Sequence, residues 1–125
     1  MTKRVAVVGC REYSNYEQAS KYISYCIESI RKKYNLIFVS GGCRGADRAG
    51  ERFALENGFA AECYPADWKT YGRAAGPIRN EKIAQLSDYI ICFWDGKSKG
   101  TKSMIKYARK YNKPIRIIIV SLSSR

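Results

Sequence analysis

The 125-residue chain contains no histidine. That absence excludes a Ser-His-Asp or Cys-His catalytic pair and a histidine-ligated metal, so any acid–base step falls to Asp, Glu, Lys, Tyr or Cys. No C-x-x-C pair occurs among the five cysteines, Cys10, Cys26, Cys43, Cys63 and Cys92, which argues against a zinc or thioredoxin-like motif. Their odd number, wide spacing and apolar surroundings read instead as buried free thiols of a reducing, cytoplasmic compartment. No apolar run approaches the roughly 20 residues that cross a bilayer, so no membrane partner is expected. Met1-Thr2-Lys3-Arg4 leads straight into an apolar run without a small-residue cleavage site, so no signal peptide is expected. Acidic residues are few, 11 against 23 Lys and Arg, leaving a net charge of +12. Such a charge favours anionic partners (nucleotides, nucleic acid or anionic surfaces) without choosing among them.

What is present fits one domain with an ordinary core, since 46% of the residues are hydrophobic. Val5–Val8 reads as a buried strand. Ser14-Asn15-Tyr16-Glu17 has capping-box spacing, and Ala19, Ile23, Ile27 and Ile30 continue it as a helix closed by Arg31, Lys32 and Lys33. Leu36–Val39 is a second strand. Ala46, Ala49 and Phe53 mark a second helix, ended by Asn57-Gly58, and Phe59–Tyr64 is a third strand. Pro65–Gly76 shows no period and reads as a loop of a length that often carries function. Pro77 suits the first position of a third helix bearing Ile83 and Leu86. Tyr89–Trp94 is a fourth strand, Thr101, Ile105 and Ala108 line a fourth helix, and Ile115–Val120 closes the series. Continuous apolar strands alternating with helices imply a parallel sheet covered on both faces. The expectation is one α/β domain over residues 4–120 with a frayed tail at 121–125, without internal repeats.

In such a sheet ligands bind beyond the strand carboxyl ends, near the reversal of strand order. Gly9-Cys10-Arg11, Ser40–Asp47, the long loop and Asp95–Thr101 should all meet there. Two of these segments are glycine-rich and open helices, where backbone N–H groups and the helix dipole suit an anion. Neither matches the dinucleotide G-x-G-x-x-G or the P-loop pattern. The plain alternative is a pair of tight strand-to-helix turns.

The segments Val39–Arg48, Pro65–Trp68, Tyr71–Asn80 and Phe93–Thr101 resemble the YspA/YpsA-related branch of the SLOG superfamily, which also includes DprA/Smf and the lonely-guy phosphoribohydrolases. The resemblance implies a Rossmann-like three-layer domain, a central, mostly parallel five-stranded sheet flanked by helices, and a nucleotide or nucleotide-derived ligand. Lonely-guy enzymes carry a Glu in the motif P-G-G-x-G-T-x-x-E and an upstream Arg. Here Met104 stands at the Glu position while Arg79 matches the Arg, so half of that catalytic pair is missing. Cys10 stands where relatives usually have Ser.

The ligand-binding set is expected to comprise Gly9, Cys10, Arg11, Ser40, Gly41, Gly42, Arg44, Gly45, Asp47, Trp68, Arg79, Asn80, Asp95, Gly96, Ser98, Gly100 and Thr101. Arg79 falls on the inward stripe of its helix and suits phosphate, or else pairs with Asp67 or Asp95. Asp47 is expected to hold a ribose hydroxyl, act as a base or cap its helix. Asp95 is expected to contact ribose or pair with Arg79, and Glu51 to be solvated or paired with Arg48. Trp68 and Tyr71 stack on a base or anchor the loop. Ser98 and Thr101 bind phosphate or cap the fourth helix. If the protein is catalytic, the candidates are Arg79, Asp47 and Asp95, acting on an N-glycosidic bond. Lys102, Lys106, Arg109 and Lys113 form a basic stripe, either a solvated face or a DprA-like track for single-stranded nucleic acid, although no aromatic row interleaves it. No cofactor is expected, and a homo-oligomer is compatible with the sequence.

Overall fold

The computed structural model describes residues 1–122. Five strands, β1 (Thr2–Gly9), β2 (Asn35–Ser40), β3 (Ala60–Cys63), β4 (Tyr89–Trp94) and β5 (Ile115–Ile119), form one sheet in the order β3-β2-β1-β4-β5. Every neighbouring pair is parallel. Five helices connect them: α1 (Tyr16–Arg31), α2 (Ala46–Glu56), the single turn α3 (Trp68–Tyr71), α4 (Ala75–Leu86) and α5 (Lys99–Lys110).

Side-chain alternation along β1 divides the core. Val5 and Val7 pack with Phe38, Phe93 and the inner residues of α1 and α2. Ala6 and Val8 face the other way, against Ile83, Met104, Ile105 and Ala108 of α4 and α5. Both faces are thus covered, which is why the strands read as continuous apolar runs. Gly50 brings α2 close to β1, since a Cβ there would lie 2.5 Å from the Val7 Cβ. The chain leaves β1 toward β2 on one side and returns to β4 on the other. The order therefore reverses between β1 and β4, and a crevice opens beyond their carboxyl ends.

Several expectations are corrected. Pro65–Gly76 is not a structureless loop: Asp67 caps α3 by accepting the Thr70 amide at 3.1 Å, and a 3₁₀ turn, Gly72–Ala74, runs directly into α4. Single turns carry too few residues to show a period in sequence. Pro77 is the third residue of α4 and not its first, still within the turn whose amides lack intrahelical acceptors. Asn15, and not Ser14, caps α1, accepting the Gln18 amide at 3.0 Å. Only Cys10 and Cys92 are buried; Cys26 and Cys43 are half-buried and Cys63 is exposed. Of the expected tail, Ser121 and Leu122 follow β5, and Leu122 packs on the core; residues 123–125 lie outside the described residues.

Candidate functional site

The crevice encloses about 410 Å³. It collects eleven of the expected residues, Gly9, Cys10, Arg11, Gly41, Asp47, Arg79, Asn80, Asp95, Ser98, Gly100 and Thr101, from four separate segments of the chain. Glycine at position 9 is needed for the convergence of β1 and β4, because a Cβ there would collide with the Phe93 carbonyl.

The first glycine loop is held by a carboxylate of its own. Asp47 is 4% exposed. Its Oδ2 accepts the Gly41 amide at 2.7 Å. The Gly42 amide donates to Ser40 Oγ at 3.3 Å, and Ser40 in turn donates to Glu51 at 2.5 Å. The Gly41 and Gly42 amides, expected to meet a phosphate, are therefore occupied from within. Asp47 does not cap its helix; Gly45 holds the cap position. Burial pushes the Asp47 carboxyl up to about 6, against the opposing pull of the Gly41 amide and of Arg79.

Arg79 closes this loop from the other side. Its Nη1 donates to the Gly41 carbonyl at 2.6 Å, its Nη2 to Cys43 Sγ at 3.6 Å and its Nε to Asn80 Oδ1 at 3.0 Å. Neither expected partner, Asp67 or Asp95, pairs with it. Gly41 is bare because a Cβ would strike the guanidinium. Asn80 Nδ2 donates to the Gly100 carbonyl at 3.3 Å, tying α4 to the second glycine loop.

That loop is also seated by a carboxylate. Asp95 Oδ1 accepts the Lys97 amide at 2.9 Å and the Ser98 amide at 2.8 Å, which hold its carboxyl below the usual range. Ser98 caps α5, accepting the Thr101 amide at 3.4 Å and the Thr101 hydroxyl at 3.1 Å. The amides of Lys99 and Gly100, in the first turn of α5, have no intrahelical acceptor. At the floor, the Asp95 amide donates to Cys10 Sγ at 3.3 Å, and burial raises the Cys10 thiol.

The remaining expected residues lie elsewhere. Ser40 and Gly45 support the loop behind the crevice. Gly42 faces Cys63, and Gly96 is an exposed turn with φ +82°. Arg44 points outward to Glu12, at 2.6 Å. Trp68 and Tyr71 are half exposed and do not line the crevice; Trp68 lies against Gly76 instead. Glu51 is shared between Ser40 and Arg48, the latter at 3.8 Å. Lys113 falls beyond α5 and donates to the Gln85 carbonyl at 3.0 Å, so it leaves the basic stripe.

Sequence reading missed Val8, Glu12, Cys43, Ile83 and Leu122 as lining residues. Glu12 and Cys43 adjoin expected residues and were within reach of a wider window. Leu122 follows the last strand, and nothing local marks it. Met104 is 2% exposed at the crevice floor, so this floor is apolar where a lonely-guy enzyme would carry its Glu.

A family model described as YspA, cpYpsA-related SLOG family matches residues 3–71. The "Gene 61 protein" of Mycobacterium phage D29 is 32% identical over 119 residues, covering 90% of this chain and 94% of that protein. DNA processing protein A (DprA) of Streptococcus pneumoniae superposes with a TM-score of 0.70 at 24% identity, over 98% of this chain and 52% of that one. The DprA of Helicobacter pylori, whose structure is described for its single-stranded DNA binding mode, gives 0.65 at 21% identity, over 97% and 67%. The chain thus spans about half of the pneumococcal protein and two thirds of the Helicobacter one. At these identities the two structures speak for a shared Rossmann-like fold. Among the described residues no helix is long and apolar enough to cross a membrane.

Proposed function

The chain belongs to the YspA, cpYpsA-related SLOG family, and from that premise and the crevice geometry we propose that it binds a nucleotide or nucleotide-derived ligand between β1 and β4. The observation that carries this reading is the meeting, at one switch point, of the Arg79 guanidinium, the open first turn of α5 and the buried Asp47 carboxylate. Phosphate belongs at the Lys99 and Gly100 amides, near Arg79, because the Gly41 and Gly42 amides of the first loop are already taken by Asp47 and Ser40. Asp47 is the acceptor for a sugar hydroxyl.

Calorimetric titration with a nucleotide panel tests the reading, guided by a native mass spectrum of the purified protein for carried-over ligand. Arg79→Ala is expected to weaken the bound nucleotide by about 10- to 100-fold, the size of a lost charge-assisted contact. Unchanged affinity refutes the arrangement. Single-stranded nucleic acid is the rival ligand for this crevice, and chain length separates the two: a mononucleotide must saturate the site by itself.

A second reading, hydrolysis of an N-glycosidic bond, is favoured by one observation: a buried carboxyl in the crevice with its pKa raised to about 6. Asp47 would then supply the proton transfer that Met104 cannot. Release of free base from the nucleotide panel, lost in Asp47→Asn, is its test; no release across the pH range rejects it.

A further inference from the structure

Strand β5 ends the sheet, and its outer edge is open. The Ile90 amide donates to the Pro114 carbonyl at 3.0 Å and the Val120 amide to the Trp94 carbonyl at 2.8 Å, so the even-numbered residues of β5 turn their backbone toward β4. By alternation, Ile115, Ile117 and Ile119 turn their N–H and C=O groups outward, where no strand among the described residues meets them. The register pairs Ile119 with Trp94 and Ile117 with Cys92, which puts their side chains on the α5 face of the sheet. There Trp94, Ile105 and Ile117 floor a groove of about 550 Å³, and Ile119 beside it is 67% exposed.

The rim is cationic. Lys102, Lys106 and Arg109 line it, and they form no ion pair among the described residues. None of the 11 acidic residues of the chain follows Asp95. The opposite edge, β3, is shorter and carries Glu62, paired with Arg4 at 2.8 Å. An open, isoleucine-rich edge without an acidic residue is an uncommon surface for a strand to leave uncovered.

We propose that the β5 edge binds an extended acidic segment of another protein, added to the sheet as a further strand. On the side of that strand facing α5, apolar side chains over Ile117 and Ile119 alternate with carboxylates that face Lys102, Lys106 and Arg109. An open ladder presents amide donors and carbonyl acceptors in alternation. A peptide strand satisfies both, whereas a phosphodiester backbone offers acceptors alone. The groove also has a single aromatic ring, whose indole N–H is committed to the Ser98 carbonyl at 3.1 Å, where a nucleic-acid strand calls for several. A second copy of this chain would bring two cationic rims together.

Amide exchange measured by NMR tests the proposal, with a capped synthetic peptide as the probe that carries Ile and Glu in turn at every second position, so that both face α5, and Thr between them. Saturating peptide is expected to slow exchange at Ile115, Ile117 and Ile119 by about tenfold or more, leaving β3 unchanged. The exposed double variant Lys102→Glu/Lys106→Glu should weaken the acidic peptide by about tenfold and favour its Lys-for-Glu counterpart. Ile119→Pro removes an outward N–H without touching the β4 ladder, so it should abolish binding with circular dichroism unchanged. No protection at saturating peptide overturns the proposal. So does protection by an oligothymidylate but not by the peptide, or protection on raising protein concentration alone, which assigns the edge to a second copy.

Discussion

The Asp47 carboxylate accepts the backbone amide of Gly41, six residues behind it, at 2.7 Å. A loop whose composition suggests an anion cradle is thereby filled by an anion of the protein itself. In the proposed binding mode the labour is divided: the first loop presents a carboxylate, and the second presents open helix-terminal amides.

That carboxylate makes stability depend on pH. Burial raises its folded pKa from 3.8 to about 6, so folding favours the protonated form. The associated stability is fully present below the unfolded value and is lost as pH rises through 6. Asp47→Asn lacks this titration. Urea unfolding of both proteins should therefore show the variant gaining on the parent by about 2 kcal/mol between pH 4 and pH 7.5. A pH-independent difference contradicts the assignment.

Gly41→Ala should separate binding from folding. The added methyl group meets the Arg79 guanidinium, the end of a flexible side chain, and comes within 3.0 Å of the Asp47 carboxylate, but touches none of the apolar core. Melting temperature is expected to fall by only a few degrees, while nucleotide affinity drops about tenfold or more, as in Arg79→Ala. Calorimetry beside a thermal melt checks both.

Gly50→Ala makes the opposite prediction. Its Cβ would lie 2.5 Å from the Val7 Cβ, between two rigid elements. The helix gains about 1 kcal/mol of propensity, and overpacking costs about 1–3 kcal/mol. Chemical denaturation should show a net loss of up to about 2 kcal/mol. A stabilised variant would mean that α2 can lift from β1 without cost.

The thiols should react in order of access. Cys63 is exposed, Cys43 is half-buried beside Arg79, and Cys10 and Cys92 are enclosed, with burial pushing the Cys92 thiol up to about 12. Timed alkylation read by peptide mass spectrometry should modify Cys63 first and Cys92 last in the native protein. Prior saturation with nucleotide should slow Cys43 and Cys10, which line the crevice, and leave Cys63 unchanged.

The sequence by itself determined the class of fold and the edge at which the site forms. Apolar runs such as Tyr89–Trp94, separated by helical periods, state that both faces of a parallel sheet are covered, and parallel connection carries Gly9, Ser40 and Asp95 to the same end. Those are local signals, legible within a window of a few residues. Tertiary structure decided which groups remain available. Asp47, Gly41 and Arg79 come from α2, the loop after β2 and α4, and only their packing shows that one carboxylate fills the first loop while one guanidinium clasps its carbonyl. The same holds for Trp68 and Tyr71, whose composition suits base stacking but whose helical turns stand outside the crevice. Hydrogen-bond saturation depends on partners distant in the chain, and no period or motif records it.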